Sequence, residues 1–448
     1  MRLYLHCVLF LIVPALAGYG QEPKFPFPQH NKIKYFGSVI YPEVDSNQMM
    51  AVVSNIYKIW KDEFLKDNAC DHSSYILSNS GGGSNNRQEH CVSEAMGYGM
   101  MITVLMAEKA DSGSQKLFDR LFLYVKQHPS VTDNDRYTSN RKKYSNKSIY
   151  IDSSLMAWRQ VSECDTSKET SATDGDLDIT YSLLLANAQW GSNGKFNYLK
   201  EARTILRDIK LKDIHPDHHT FLLGNSISTD AYGSWDSCVI RTSDFMPSHL
   251  REFNLADTDA DKSVWTEAIN SNYFIYRRIQ EKLSPDYSLF PDFIDYSFQQ
   301  INLPRRRIEL RKYDSTFYDN ACRVPWRIGM DYVLNGNPDA YKILGKFNNG
   351  MIQLTGNDPN NIHPGGYTLN GDVSTLKQID STRFSYYGPL AVSAMIDKKY
   401  QTWLNRLWKL VSRENIIDDH VEYYDRTLQL LTLIVLSGNY WTPSMVMR

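Results

Sequence analysis

The sequence predicts a mostly helical, all-α protein built as one large domain. Three observations carry that expectation. Twelve segments repeat apolar residues at helical spacing or run apolar for several turns, and some of these are apolar nearly all round. The 448 residues could make two or three domains by length alone, yet no long Gly/Ser/Pro linker or low-complexity tract divides them.

In chain order the first helices are expected at residues 46–66, 94–109 and 114–127. The second holds Met100-Met-Ile-Thr-Val-Leu-Met-Ala107, a run suited to burial, while 114–127 is amphipathic and suits an outer layer. Residues 176–189 follow a cap-type cluster, Thr173-Asp-Gly-Asp176, and turn apolar for about three helical turns. Segments 196–209, 248–253, 263–282, 320–335 and 338–348 continue the pattern, and 390–396, 401–411 and 421–436 complete it. Leu183-Leu-Leu-Ala-Asn-Ala188 and Leu428-Gln-Leu-Leu-Thr-Leu-Ile-Val-Leu436 are apolar nearly all round, which suits inner helices covered on every side. The connections 128–146, 213–243 and 283–317 are long, and long ordered loops are usually functional, so cleft walls are expected there. The polar stretch 129–152 reads equally as a solvated excursion or a substrate rim.

Residues 1–17 carry one basic residue, a short apolar run and an Ala-x-Ala ending, the pattern of a secretory signal. An extension over 18–40 and a single domain over 41–448 follow. A secreted protein, extracellular or periplasmic, is expected. No later segment approaches about 18 uninterrupted apolar residues, so no membrane partner is expected. Loss of the signal removes Arg2 and no acid, moving the formal charge from −2 to −3. That balance gives no hint of nucleic acid, and Arg305-Arg306-Arg307 reads as a solvated loop or salt-bridge partner. Cys7 leaves with the signal, so five cysteines remain. Cys70, Cys91, Cys164 and Cys238 could form up to two disulfides in three possible pairings.

Other constellations carry no chemistry of their own. Asp257-Thr-Asp-Ala-Asp261 begins like a calcium loop, but Lys262 and Ala268 stand where glycine and glutamate are needed. An acidic structural turn is expected instead. The adjacent histidines of His215-Pro-Asp-His-His219 cannot converge as i, i+4 ligands do, which favours a surface loop and no metal. There is no Gly-x-Ser-x-Gly elbow or Walker loop, and Gly81-Gly-Gly83 reads as a flexible loop.

Glu94, in Ser93-Glu-Ala-Met-Gly-Tyr-Gly-Met100, places a carboxylate at a glycine-punctuated turn beside an apolar run. Burial there raises a carboxyl pKa toward the range of a general acid, while a helix N-terminus pulls it down, so burial has to win. The plain alternative is a capping or solvated first-turn acid. A second acidic helix entry, Ala172-Thr-Asp-Gly-Asp-Leu-Asp178, repeats the arrangement.

These two stretches, with Asn320-Ala-Cys-Arg-Val-Pro-Trp-Arg327, resemble glycoside hydrolase family 8, whose members are inverting glycanases. The second stretch follows that family's signature at nearly every place, Thr180 standing where alanine is usual. Arg241-Thr-Ser-Asp-Phe-Met-Pro-Ser-His-Leu250 and Phe384-Ser-Tyr-Tyr-Gly-Pro-Leu390 extend the resemblance from about residue 40 to the C-terminus. It implies an (α/α)6 barrel whose long loops form a substrate cleft. The aromatic share of 12% then suggests sugar-stacking surfaces as well as a large core.

The resemblance assigns roles as follows. Glu94 is the general acid. The base of one branch is an aspartate where this chain has Asn320, which cannot accept a proton. A second branch, with chitosanases, lichenases and some glucanases, has asparagine there and takes its base from a glutamate about ten residues upstream. Glu309 lies eleven residues before Asn320 and is the candidate, with Asp314 and Asp319 also close and pairing to Arg307 or Arg311 as the alternative for Glu309. Asp174 matches the acid that holds the sugar beside the scissile bond, and Asp176 is placed with it; both could instead cap the following helix. Arg323, Tyr386 and Tyr387 are expected in the cleft, with core packing as the alternative for the tyrosines. Arg241 and Asp244 are either an ion pair supporting the cleft or direct sugar contacts. Cys322, inside the third motif, is expected to be buried and free. The expected protein is therefore a secreted, inverting endo-β-1,4-glycanase acting on glucan or chitosan, monomeric and without a cofactor. A xylan-active member and an inactive carbohydrate-binding protein on the same barrel are the rivals.

Overall fold

The computed structural model describes residues 20–29, 32, 34–79, 89–131, 152–226, 235–297, 300–305, 308–309, 312–377, 383–415 and 421–446. The signal segment, Gly81-Gly-Gly83, most of the 129–152 stretch, and Arg306, Arg307 and Arg311 lie outside the described residues.

Twelve helices of ten or more residues carry the fold among the described residues. They are α1 (Ser46–Phe64), α2 (Ser93–Leu105), α3 (Gly113–Gln127), α4 (Thr173–Trp190), α5 (Tyr198–Lys212) and α6 (Pro247–Ala256). The second half holds α7 (Val264–Lys282), α8 (Val324–Asn335), α9 (Pro338–Thr355), α10 (Phe384–Ala394), α11 (Gln401–Val411) and α12 (Tyr423–Leu436). Each expected segment is helical, with shifted ends. The even-numbered helices pack on one another in succession and α12 returns onto α2, closing an inner ring. The odd-numbered helices cover it from outside, α3 on α2, α5 on α4, α7 on α6, α9 on α8, α11 on α10 and α1 on α12. This is an (α/α)6 barrel.

The sequence sorts the two layers by how much of each helix is apolar. Every residue of α2 except Glu94 is buried, as an inner helix requires. Outer helix α11 buries only the stripe Trp403, Leu404, Leu407, Trp408, Leu410 and Val411, and its other positions face outward. Each large apolar side chain so buried contributes roughly 1.5–3 kcal/mol. Helices α2 and α4 approach closely because glycine removes the obstacle. A Cβ on Gly175 would stand 2.7 Å from the Ser93 carbonyl carbon, and one on Gly97 would stand 2.6 Å from the Asp178 Cβ. The first turns of α2 and α4 therefore touch, bringing Glu94 and Asp174 to the same end of the barrel.

The opposite end is closed by the extension. Phe27 N–H donates to Ala107 O, Lys24 N–H to Gln189 O, Phe36 N–H to Val333 O and Ile40 N–H to Met395 O, while the Tyr35 hydroxyl donates to Val435 O. These carbonyls lie at or just past the C-termini of five inner helices, which leave acceptors unsatisfied. The described residues at 24–29 and 34–40 thus form a strap across the barrel floor.

Two ends depart from expectation for tertiary reasons. Helix α9 continues past Asn348-Asn-Gly350 because the Asn348 amide pairs with Ser393 on α10, and Gly350 lets the Tyr287 carbonyl approach to within contact. Helix α10 begins at Phe384, not 390, because the Asp425 carboxylate accepts the Ser385 N–H and satisfies its first turn. The long connections carry short antiparallel ribbons: Val239–Arg241 pairs with Phe293–Ser297, which pairs with Gln300–Asn302, and Arg241 stands opposite Phe293. One disulfide, Cys70–Cys164, ties the loop after α1 to the segment before α4. Cys91 and Cys322 are buried and free. The acidic turn at 257–261 clasps the Lys210 ammonium, at 3.0 Å from Asp257, 2.9 Å from Asp259 and 2.6 Å from Asp261.

Candidate active site

Arg323 is the hub of the upper end of the ring. It enters α8 through a single 3-10 turn, Ala321–Arg323, and its guanidinium is only 2% exposed. Its Nη1 donates to the Glu94 carboxylate at 2.5 Å, to Asp174 at 3.0 Å and to the Tyr98 hydroxyl oxygen at 3.2 Å. Its Nη2 donates to Ser243 Oγ at 2.7 Å and to the Asn320 side-chain oxygen at 3.0 Å. Asn320 turns its amide nitrogen outward, to Glu309 Oε2 at 3.1 Å. The other Glu309 oxygen accepts from Arg241 Nη2 at 2.8 Å. Arg241 in turn lies 3.7 Å from Asp174 and 3.6 Å from Asp244. Glu94, Asp174, Arg241, Asp244, Glu309, Asn320 and Arg323, read separately from distant parts of the chain, form one cluster.

Exposure separates the reacting groups from their supports. Glu309 is 43% exposed and Glu94 17%, whereas Asp174 is 7% and Asp244 1%. Asp244 therefore backs Arg241 from below and does not face the cleft. Burial pushes Asp244 up to about 7, against the opposing pull of Arg241. Burial also pushes Glu94 up to about 7 despite Arg323, with Asp174 adding to the rise. Burial has won over the helix terminus at Glu94, so this carboxyl can hold a proton near neutrality. Asp174 responds in the opposite sense. Burial would raise it, but Arg241 and Arg323 together outweigh burial and keep it below the usual carboxylate range.

The three candidate bases separate cleanly. Asp314 is buried and accepts the backbone N–H groups of Ile308 and Glu309, so it shapes the loop that carries Glu309. Asp319 is 48% exposed and points toward Arg383, at 3.9 Å. Only Glu309 joins the Arg323 cluster.

Some expected residues lie elsewhere. Asp176 is two residues from Asp174, about 200° round the helix, and so faces away from the cleft. It accepts the Met156 N–H at 3.3 Å and lies against Asp213, both carboxyls being buried and raised, each by burial first. Tyr386 is fully buried against Phe317, its hydroxyl shut off from the cleft, and Tyr387 is buried as well. Core packing describes Tyr386. Conversely, sequence reading missed Tyr98, Asp178, Arg327, Ser243 and Tyr423, whose hydroxyl lies 3.4 Å from Glu94. Helical spacing could have found three of them, since Tyr98, Asp178 and Arg327 each follow a site residue by four.

The Asp176–Asp213 pair carries a stability prediction. Both folded pKa values lie above the unfolded values of about 4, so the native state retains protons that the unfolded chain releases. The pair's contribution is complete below about pH 4 and declines as pH rises. Asp213→Asn should flatten the fall in thermal midpoint between pH 5 and pH 8 while leaving turnover intact; an unchanged fall would remove the pair as its source.

The comparisons with known proteins bear on the family and the fold. The family model for glycosyl hydrolases family 8 matches residues 43–438. A β-glucanase of Niallia circulans is 33% identical over 97% of this chain and 96% of its own length. An endoglucanase of Bacillus sp. (strain KSM-330) is 32% identical over 93% and 82%. The solved structure of a β-1,3-1,4-glucanase from Paenibacillus sp. X4 superposes with a TM-score of 0.78 at 34% identity, covering 94% of this chain and 100% of that one. Rex8A from Paenibacillus barcinonensis, at 16% identity and a TM-score of 0.68, shares the fold. With its barrel, its cluster of carboxylates and a match over nearly its whole length, this chain belongs to glycosyl hydrolase family 8 and is a glycoside hydrolase.

Proposed function

We propose that the protein is a secreted, endo-acting hydrolase of β-glucan chains, β-1,4-linked or mixed β-1,3-1,4-linked, that inverts the anomeric centre. The observation that carries this reading is the line Glu94, Arg323, Asn320, Glu309. It holds a carboxyl raised to about 7 at one end and an exposed carboxylate at the other, with a guanidinium and an amide between them. Inverting enzymes keep the two groups roughly 6.5–9.5 Å apart so that a water fits behind the sugar. The named activities of the relatives support a glucan substrate.

In this reaction Glu94 gives its proton to the glycosidic oxygen as the bond from that oxygen to the anomeric carbon breaks. Glu309 takes a proton from the attacking water as the new bond forms on the opposite face. Arg241 and Asn320 hold Glu309 through both oxygens, fixing its direction. Asp174, kept ionised by two arginines, faces the positive charge that develops on the sugar ring. Every proton in this scheme starts and ends on these side chains, substrate or water.

Two readouts test the proposal together. Lichenan and carboxymethylcellulose should release reducing ends faster than chitosan or xylan, and proton NMR early in hydrolysis should show the α-anomer first. A first-formed β-anomer would contradict inversion, faster release from chitosan or xylan would displace the glucan reading, and binding without release would favour a carbohydrate-binding protein.

A further inference from the structure

Beneath the reacting groups the three helices that supply them repeat one spacing. Glu94 and Tyr98 on α2, Asp174 and Asp178 on α4, and Arg323 and Arg327 at the entry of α8 are each four residues apart, so each pair lies on one face one turn apart. The upper members form the cluster described above. The lower members form a second cluster: Arg327 grips Asp178 through both its Nη atoms, at 3.0 and 2.5 Å, and His249 Nε2 lies 3.0 Å from Asp178. His249 stacks on Tyr181 at 3.7 Å between ring centres. The two levels meet at the Tyr98 hydroxyl oxygen, which accepts from Arg323 Nη1 at 3.2 Å and from Arg327 Nη2 at 3.3 Å.

We infer that Tyr98, Asp178, Arg327 and His249 are a positioning layer for the reaction, which sets how strongly the Arg323 guanidinium engages the Glu94 carboxyl. The inference rests on Glu94 being the general acid. Arg323 Nη1 divides its donation among Glu94, Asp174 and Tyr98. Tyr98 can take less or more of that share according to how far Arg327 occupies its oxygen, and Arg327 is fixed by Asp178, which His249 braces from the other side. No member of this lower layer needs to touch substrate. The charged groups bearing on Glu94 are Arg323, Asp174, Arg241 and Asp178, and the hydroxyls of Tyr98, Tyr423 and Tyr424 bear on it as well. Of these, Arg323 is the strongest opponent of burial, so its share decides where Glu94 titrates.

Two variants push that share in opposite directions. Tyr98→Phe removes an acceptor, turns Arg323 more fully onto the carboxylates, and should move the basic limb of kcat/KM on lichenan down by about half a pH unit or more. Arg327→Lys keeps the charge against Asp178 but frees the Tyr98 oxygen for Arg323, and should move the limb up. KM should change little in either, and an aryl glycoside whose leaving group needs no proton should show no such limb. Limbs that stay in place, or move the same way in both folded variants, overturn the inference. If only one variant folds, the direction of its shift decides; if neither folds, the layer is structural and the inference falls. Glu94→Gln separates the two claims: a folded, active Glu94→Gln protein removes the acid assignment itself, whereas an inactive one beside unmoved limbs removes only the positioning layer.

Discussion

Glu94→Gln should fold, bind oligosaccharide and lose turnover of lichenan by about 10²-fold to 10⁴-fold, because the leaving oxygen then departs without a proton. The amide can still occupy the space beside Arg323, so the barrel has no reason to open. The loss should shrink on a substrate with a good leaving group, such as a dinitrophenyl glycoside, for which protonation contributes little. The pH profile supplies an independent readout. Burial holds the Glu94 carboxyl near 7, so the wild-type rate should fall as pH rises through that value, and Glu94→Gln on the activated substrate should lack that fall. Wild-type turnover of lichenan by a folded Glu94→Gln protein would take Glu94 out of the chemistry.

Much of the architecture was legible because inner and outer helices bury different fractions of their surface. A helix such as α2, with one accessible residue in thirteen, must read as a continuous apolar run, and one such as α11 must read as a stripe. Their closure into six pairs is a matter of which run packs on which, and periodicity is silent on that. The resemblance in three short motifs supplied it. Helix ends were legible only where the stop signal is local. Gly336 and Gly356, both left-handed, end α8 and α9, whereas the start of α10 depends on Asp425 on another helix and leaves no mark in its own sequence.

The site divides in the same way. Glu94, Asp174 and Arg323 stand in helix entries whose sequences are distinctive. Asp176 shared the distinctive stretch with Asp174, but an offset of two residues on a helix sends it to the opposite face, where it pairs with Asp213 from a segment nearly forty residues on. For Tyr386 the sequence left cleft and core packing both open, because a short motif can serve packing as readily as chemistry, and its full burial favours packing. The Tyr98, Asp178 and Arg327 layer follows from the same geometry, and it was within reach of helical spacing alone.

Glu309→Ala should abolish turnover of lichenan, and the reason lies in what surrounds the residue. Its two oxygens are held by different partners, Asn320 on one side and Arg241 on the other, so the carboxylate is directed while remaining the most exposed acid of the cluster. A base that must meet water needs both properties. Asn320 cannot take its place, because an amide does not accept a proton at these pH values, yet it occupies the position from which Glu309 is aimed. Added azide should restore part of the activity to Glu309→Ala by filling the vacated space with a small nucleophile, and the product should then be a glycosyl azide of inverted configuration. Asp319→Ala should retain substantial activity, since that carboxyl turns toward Arg383, outside the cluster. Asp314→Ala should weaken turnover without abolishing it, because it loosens the two backbone N–H groups that hold the Glu309 loop. Asn320→Asp in the Glu309→Ala background provides the opposing arm, placing a carboxylate beside Arg323 where it could serve as a base. An active Glu309→Ala protein beside a dead Asp319→Ala protein would move the base to the third motif. Full activity in all three single variants would leave the attacking water without a base among them and count against hydrolysis by this cluster.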